Sequence, residues 1–197
     1  HGRSMDTTMG FTPVEGLIMG TRCGDVDAGV ITFLERTSGL TVPQIDELIN
    51  KKSGLLGLSG ISSDMREILT AAEAGESRAL IALKTYCYRI RKYIGAYVAA
   101  MGGLDAVVFT GGVGQGSDMV RALALQGLDC MGIRLDEQLN RDARGFDEVC
   151  RISTNDSKVT VLVVPTDEER MMAREALRAL SRSYITCTLK TRQQEPI

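Results

Sequence analysis

The sequence holds a single histidine, His1, at its first position. A lone terminal imidazole cannot be held between a nucleophile and a carboxylate, so the triad hydrolases are set aside as a class. No CxxC pair occurs, and the five cysteines (Cys23, Cys87, Cys130, Cys150 and Cys187) are odd in number and far apart. That spacing points to neither a zinc site nor a disulfide framework, and it fits a reducing, cytoplasmic setting. No apolar run approaches the roughly 18–20 residues that span a bilayer, and no signal peptide is read at the start. The net charge of −2 gives no basis for nucleic acid or an anionic membrane as the main partner. There is no internal repeat.

What is present is globular. With 197 residues, 44% of them hydrophobic and 24% charged, the chain can bury a core as one domain or two small ones. Position 1 is not methionine, and the chain is expected to be a cleaved product, a processed chain or a piece of something longer.

Residues 1–60 read as glycine-rich and irregular, with turns at "MGFTP", "EGL", "TRCGD" and "SGLTVP". One short helix is expected there, "QIDELINKKSG", closed by Gly54. In "SDMREILTAAEAG" Met65, Ile68, Leu69 and Ala72 recur at helical spacing, with Asp64 as N-cap and Glu67 three residues on. The strongest helix is "SRALIALKTYCYRIRKYIGAYVAAMGG": Leu83, Cys87, Ile90, Ile94, Tyr97 and Met101 share a face, and Gly102–Gly103 end it. Its tyrosines read first as core packing, with a dimer face as the alternative. "LDAVVFT" and "VTVLVVP" read as buried strands. Helices are expected over "SDMVRALALQG", "EQLNRDARG" and "TDEERMMAREALRAL", the last with Met172, Ala176 and Leu180 on one side, and a solvated tail follows. Strand, loop, helix, strand, helix is an α/β pattern.

Four stretches have the composition for chemistry. In "VVFTGGVGQGSDMV" a strand runs into Gly111, Gly112, Gly114 and Gly116, which let backbone approach an anion, and Ser117 then caps a helix. The loop lacks the lysine of a Walker motif, and its glycines alternate out of GxGxxG register. Taken alone, a plain strand-to-helix turn explains it equally well. "SGISSDMRE" is a second small-residue turn that reads alone as a simple helix cap. In "VVPTDEERMM" Thr166 and Glu169 fit a capping box, which leaves Asp167 and Glu168 beyond a strand end, where carboxylates can hold Mg²⁺ or merely complement a helix dipole. Arg22 sits in a turn bracketed by Gly20 and Gly24. Its planar fork suits a phosphoryl group, unless Asp25 or Asp27 pairs with it.

Together the segments "MDTTMGFTPVEGLIMGTRCGDVDAG", "NKKSGLLGLSGISSDMRE", "YCYRIRKYIGAY", "LDAVVFTGGVG" and "VLVVPTDEERMMAR" resemble, in order, the C-terminal half of the acetate kinase family. That resemblance runs from Ser4 to about Arg178 and implies the actin-like ATPase and sugar kinase superfamily. It implies an α/β, ribonuclease-H-like domain, a mixed sheet with helices on both faces, over residues 1–183, and a tail over 184–197. It also implies ATP or ADP as substrate, Mg²⁺ as cofactor, acetate as phosphoryl acceptor and a homodimer. By the same resemblance, Arg22 matches the arginine that stabilises the phosphoryl group in flight. Asp64, Met65 and Arg66 match an adenosine-contacting triplet. Gly112, Val113, Gly114, Gln115 and Gly116 match the glycine loop at the nucleotide, and Glu168 matches a glutamate that positions Mg²⁺.

Two departures stand against it. The family loop usually reads GGIGEN, whereas Gln115 and Gly116 replace the Glu and Asn here. The family's N-terminal half, with its magnesium-binding asparagine, carboxylate-binding arginine, aspartate and histidine, is not in the sequence, so this chain alone is expected to be inactive. A propionate kinase and a non-catalytic nucleotide-binding or dimerising module remain as alternatives. A dinucleotide oxidoreductase would need an acidic residue ending a second strand, and "GIRLDEQ" around Asp136 is a poor strand.

Overall fold

A computed structural model describes residues 2–143 and 148–192, with side chains described as far as residue 181. The chain divides into His1–Val164 and Pro165–Ile197.

The first unit is mostly helical. Asp27 accepts a hydrogen bond from the Gly29 amide at 2.7 Å and starts α1, Ala28–Ser38. This helix lies in the stretch expected to be irregular. It buries no residue of its own, and its β-branched run hides the helical period. Thr41 and Gln44 form a capping box for α2, Val42–Lys51. Lys52, not Gly54, ends α2, because Gly54 opens a third helix, α3, Gly54–Ser59. Asp64 caps α4, Met65–Glu73, as its spacing predicts. Helix α5 runs Ser77–Met101 and ends at Gly102, also as predicted.

Three strands follow α5, with further helices between the first strand and the other two. β1, Ala106–Phe109, pairs in parallel with β3, Thr160–Val163, and β2, Cys150–Arg151, pairs antiparallel on the other side of β3. The order β1-β3-β2 is a small mixed sheet in a helix-dominated unit, narrower than the layered sheet the sequence pattern led us to expect. β3 fits the buried-strand reading, with Val161 and Val163 fully buried. β1 does not: Val108 is 51% exposed, because it and its partner Leu162 point to the face of the sheet opposite Val107, Phe109, Val161 and Val163. The glycine stretch after β1 is itself a helical turn, α6, Gly111–Gly116, and Ser117 begins α7, Asp118–Leu125. Asp136 is the cap of α8, Glu137–Asp142, accepting from Gln138 and Leu139. That role removes it as the ribose carboxylate of a dinucleotide fold.

Two apolar cores lie on either side of α7. Val120 joins Leu55, Met65, Ile68, Ala72, Leu83 and Cys87 from α3, α4 and α5. Ala124 and Leu125 join Phe109, Val161 and Val163 of the sheet. Consecutive turns of one helix therefore bind the helical layer to the sheet, and the glycine turn sits where they meet.

The second unit is one helix, α9, Glu168–Arg192. Its start corrects the capping reading: the Asp167 carboxylate accepts from the Arg170 amide at 3.0 Å, so the cap falls to Asp167 rather than Thr166. Met172 and Leu180 of the expected apolar side are 64% and 67% exposed. Residues 184–192, part of the expected tail, continue the helix. Residues 193–197 and the side chain of Cys187 lie outside what is described.

Candidate functional site

The turn before α4 is built by hydroxyls. Ser59, 2% exposed, accepts from the Ile61 amide at 3.0 Å, and Ser62 accepts from the Asp64 amide at 3.0 Å. Small side chains bonding back to their own backbone set such turns. They deliver Asp64, whose carboxylate accepts from the Arg66 amide at 2.9 Å and from the Arg66 guanidinium at 2.5 Å. The guanidinium first and the amide second hold this carboxyl down to about 2, while the pair raises Arg66 above its ordinary value.

Facing this turn is the glycine turn. Asp64, Met65 and Arg66 line one cavity of about 730 Å³ together with Gly112, Val113, Gly116 and Ser117. A methyl group added at Gly112 or Gly116 would meet nothing within 4 Å, so their absent side chains leave the wall open. Gly114 and Gln115 point the other way. An added methyl at Gly114 would rest on Phe109 backbone at 3.4 Å, and Gln115 is only 7% exposed. Of the eight residues expected at this loop and its facing turn, six line the cavity and these two pack behind it.

Arg22 lies in a neighbouring turn. The Met19 carbonyl accepts from the Leu55 amide at 2.9 Å, the Thr21 carbonyl from Ser53 at 2.9 Å, and the Ile49 carbonyl from Cys23 at 3.0 Å. Asp25 and Asp27 are both taken up elsewhere. Asp25 accepts from Arg89 and Tyr93 at 2.9 Å each and from the Gly16 amide at 2.7 Å, and Asp27 caps α1. Among the described residues the Arg22 guanidinium meets only the Met19 sulfur, at 3.8 Å. A second cavity of about 330 Å³ reaches this turn through Gly20 and shares Ser63, Met65 and Val113 with the first. Glu168 stands in the first turn of α9, in the second unit, exposed and without a hydrogen-bond or ion-pair partner among the described residues.

Sequence reasoning missed Arg121. It is 1% exposed and its five hydrogen bonds all run to uncharged oxygens. Nε donates to Asn140 Oδ1 at 2.7 Å, Nη1 to the Gly114 and Gln115 carbonyls at 2.9 Å, and Nη2 to the Asn140 and Ala143 carbonyls at 2.7 and 3.1 Å. Burial pulls its pKa down, opposed at longer range by Asp118. The available signal was its place in the row Ser117, Arg121, Leu125, which recurs every four residues along the buried side of α7.

The sequence pattern of the Acetokinase family matches residues 1–174. The chain is 54% identical to the acetate kinase of Parabacteroides distasonis over 182 residues, which is 92% of this chain and 45% of that protein. It superposes on the crystal structure of Porphyromonas gingivalis acetate kinase with a TM-score of 0.83 at 54% identity, covering 88% of this chain and 43% of the other. A propionate kinase from Francisella tularensis matches with a TM-score of 0.81 at 37% identity, again over 88% of this chain and 44% of the other. The chain spans less than half the length of the curated relatives it matches. With nearly its whole length matched by sequence pattern and by fold, the chain belongs to the acetokinase family.

Proposed function

We propose that this chain is the C-terminal, nucleotide-holding and dimerising half of an acetate kinase that acts in the cytoplasm. It would be a ribonuclease-H-like domain over residues 1–183 with a tail over 184–197. The observation that carries this reading is the convergence of Asp64, Met65 and Arg66 with Gly112, Val113 and Gly116 on one cavity. About 730 Å³ is within the ordinary range for a small-molecule site. The adenosine of ATP or ADP rests against the Asp64–Arg66 turn, where a planar guanidinium can stack on a base. The phosphates reach the glycine turn, where absent side chains let backbone come close.

The reaction is ATP + acetate giving ADP + acetyl phosphate. An acetate oxygen forms a bond to the γ-phosphorus as the bond from that phosphorus to the β-bridging oxygen breaks, and ADP leaves with the electron pair. Arg22, free of any carboxylate among the described residues, balances the charge of the phosphoryl group between donor and acceptor. Glu168 would hold Mg²⁺, whose charge offsets that of the phosphates. A single uncommitted carboxylate fits, because Mg²⁺ is usually bound by one or two carboxylates, waters and substrate phosphates. Acetate is held mostly by the N-terminal half, so this chain alone is inactive and a homodimer is its assembled form.

Propionate as acceptor is a second reading, favoured by the likeness to the Francisella propionate kinase. A non-catalytic module is a third, resting on Gln115 and Gly116. Position 116 has open space around it, so an asparagine would fit there and its loss removes a contact without changing the shape.

Calorimetric titration of the chain with Mg·ATP and Mg·ADP, wild type against Gly112→Val, tests the site. Binding in the wild type that the valine abolishes is expected, and equal binding in both would remove the glycine turn from it. Joined to an acetate-binding half, the chain should form acetyl phosphate. Dimerisation and nucleotide binding without turnover would favour the module.

A further inference from the structure

The Arg121 guanidinium is fully charged chemistry in an enclosed place. None of the ion pairs among the described residues includes it. Five uncharged oxygens satisfy its donors, so hydrogen bonding is complete, while its charge is opposed at longer range by Asp118, which makes no ion pair with it. Carbonyl solvation removes the penalty of unmade hydrogen bonds, but a buried cation still favours an anion nearby. Two of those oxygens, on Gly114 and Gln115, belong to the turn whose other residues, Gly112, Val113 and Gly116, line the cavity. The guanidinium therefore lies on the far side of the glycine turn from the open space.

We infer that Arg121 is a positioning residue whose charge, only partly balanced by Asp118, acts through the glycine turn and is matched by the phosphate chain of a nucleotide in the cavity. It touches no ligand. Its fork holds the Gly114 and Gln115 carbonyls away from the cavity, and those carbonyls would otherwise offer negative ends to the phosphates. Its field then favours ligands in proportion to their negative charge. A merely structural arginine would hold the turn equally well for any ligand, charged or not. The inference rests on the reading of the cavity as a nucleotide site.

The test is a set of affinities for adenosine, AMP, ADP and ATP, measured without metal so that the phosphate charge is unmasked. Asn140→Asp places a carboxylate where the Arg121 Nε now meets an amide oxygen, neutralising the cation and keeping its Nε acceptor. It also removes the hydrogen bond that the Asn140 side-chain amide donates to the Asp118 carbonyl at 2.9 Å, a loss that should fall equally on all four ligands. ATP affinity should fall about tenfold, ADP less and adenosine less than about twofold, in line with the cost of altering a close charge interaction. Arg121→Met should give the same graded loss, and Arg121→Lys, which keeps the charge and loses donors, should recover most of the ATP-to-adenosine ratio. Because the methionine variant can fail to fold, Asn140→Asp and Arg121→Lys carry the comparison by themselves. Equal losses for all four ligands, or none, with Gly112→Val still abolishing binding, would overturn the charge role and leave the nucleotide site standing. Binding of none of the four to wild type, with magnesium or without, would overturn the site and this inference together.

Discussion

The Arg22 turn and the glycine turn at Gly111–Gly116 look alike in the sequence, short stretches bracketed by glycine, but they are held in opposite ways. Around Arg22 the backbone is clamped to α2 and α3 by amides from Ser53, Leu55 and Cys23, and the side chain is left uncommitted. In the glycine turn a side chain from the next helix, Arg121, does the clamping, and the cavity-facing backbone is left bare. One turn fixes backbone so that a guanidinium can reach out. The other uses a buried guanidinium so that backbone can be approached. Where a protein places its arginine, inside or outside, decides whether the side chain or the main chain meets the ligand.

The contrast breaks hardest at Gly54. Its φ is +64°, and an added methyl would lie 2.2 Å from the Met19 carbonyl oxygen and 2.8 Å from that of Arg22. Both obstacles are backbone, so Gly54→Ala should cost more than about 3 kcal/mol or prevent folding. Gly112→Ala, with nothing within 4 Å and no positive φ, should leave stability unchanged or raise it by up to about 1 kcal/mol. Urea melts of the two variants make the comparison, and equal losses would refute the account of two differently held turns.

The two arginines come next. Arg121→Met strips five oxygens of their donor and should cost about 3 kcal/mol. Arg22→Met removes only a contact to sulfur and should cost less than about 0.5 kcal/mol, although the phosphoryl transfer proposed above would fail. A smaller loss at Arg121 than at Arg22 would reverse the assignment of inside and outside.

Asp25 closes the Arg22 turn through the Gly16 amide and also takes Arg89 and Tyr93. Asp25→Asn keeps the shape and loses the charge, at a cost of about 1–2 kcal/mol. The Tyr93 phenol gives an independent readout. Desolvation first, then its hydrogen bond to Asp25, push it up to about 12. Its neutral form is thus favoured in the fold, a contribution present below pH 10 and lost as pH rises towards 12. In Asp25→Asn the ultraviolet titration of this phenol should move back down, and an unchanged midpoint would leave desolvation as the whole cause.

How much of this was legible depends on the range of the interaction. The helices α4 and α5 and the caps at Asp64 and Ser117 follow from patterns within a few residues, and the structure has them. Helix α1 was missed because it buries nothing, so no apolar stripe marks it. The cap at Asp167 was assigned one residue early, since Thr166 and Asp167 are both good caps and only geometry chooses between them. At the site, glycine content located the open turn, but which glycines face the cavity depends on how α6 meets Phe109. The row Ser117, Arg121, Leu125 marked Arg121 as buried, but its role was not legible, because a buried arginine on α7 makes sense only once Asn140 and Ala143, about twenty residues on, come beside it.

The smallest expected effect is at the rim, where the Asp64–Arg66 pair is exposed and strengthens the contrast with Arg121. Arg66 is 89% exposed as a side chain and Arg121 is sealed, so only Arg66 can trade its carboxylate for a ligand. The Asp64 carboxyl sits at about 2 against its usual 3.8, so its contribution to the fold is present above pH 3.8 and lost as pH falls towards 2. Carbon NMR of the Asp64 carboxyl should show that midpoint in wild type. In Arg66→Ala it should rise without reaching 3.8, because the backbone amide of residue 66 still donates to it from the first turn of α4. If adenosine engages Arg66, saturating wild type with it should move the midpoint the same way. A carboxyl that ignores both the substitution and the nucleoside would mean that the helix cap alone holds its charge, and Arg66 would no longer belong to the site.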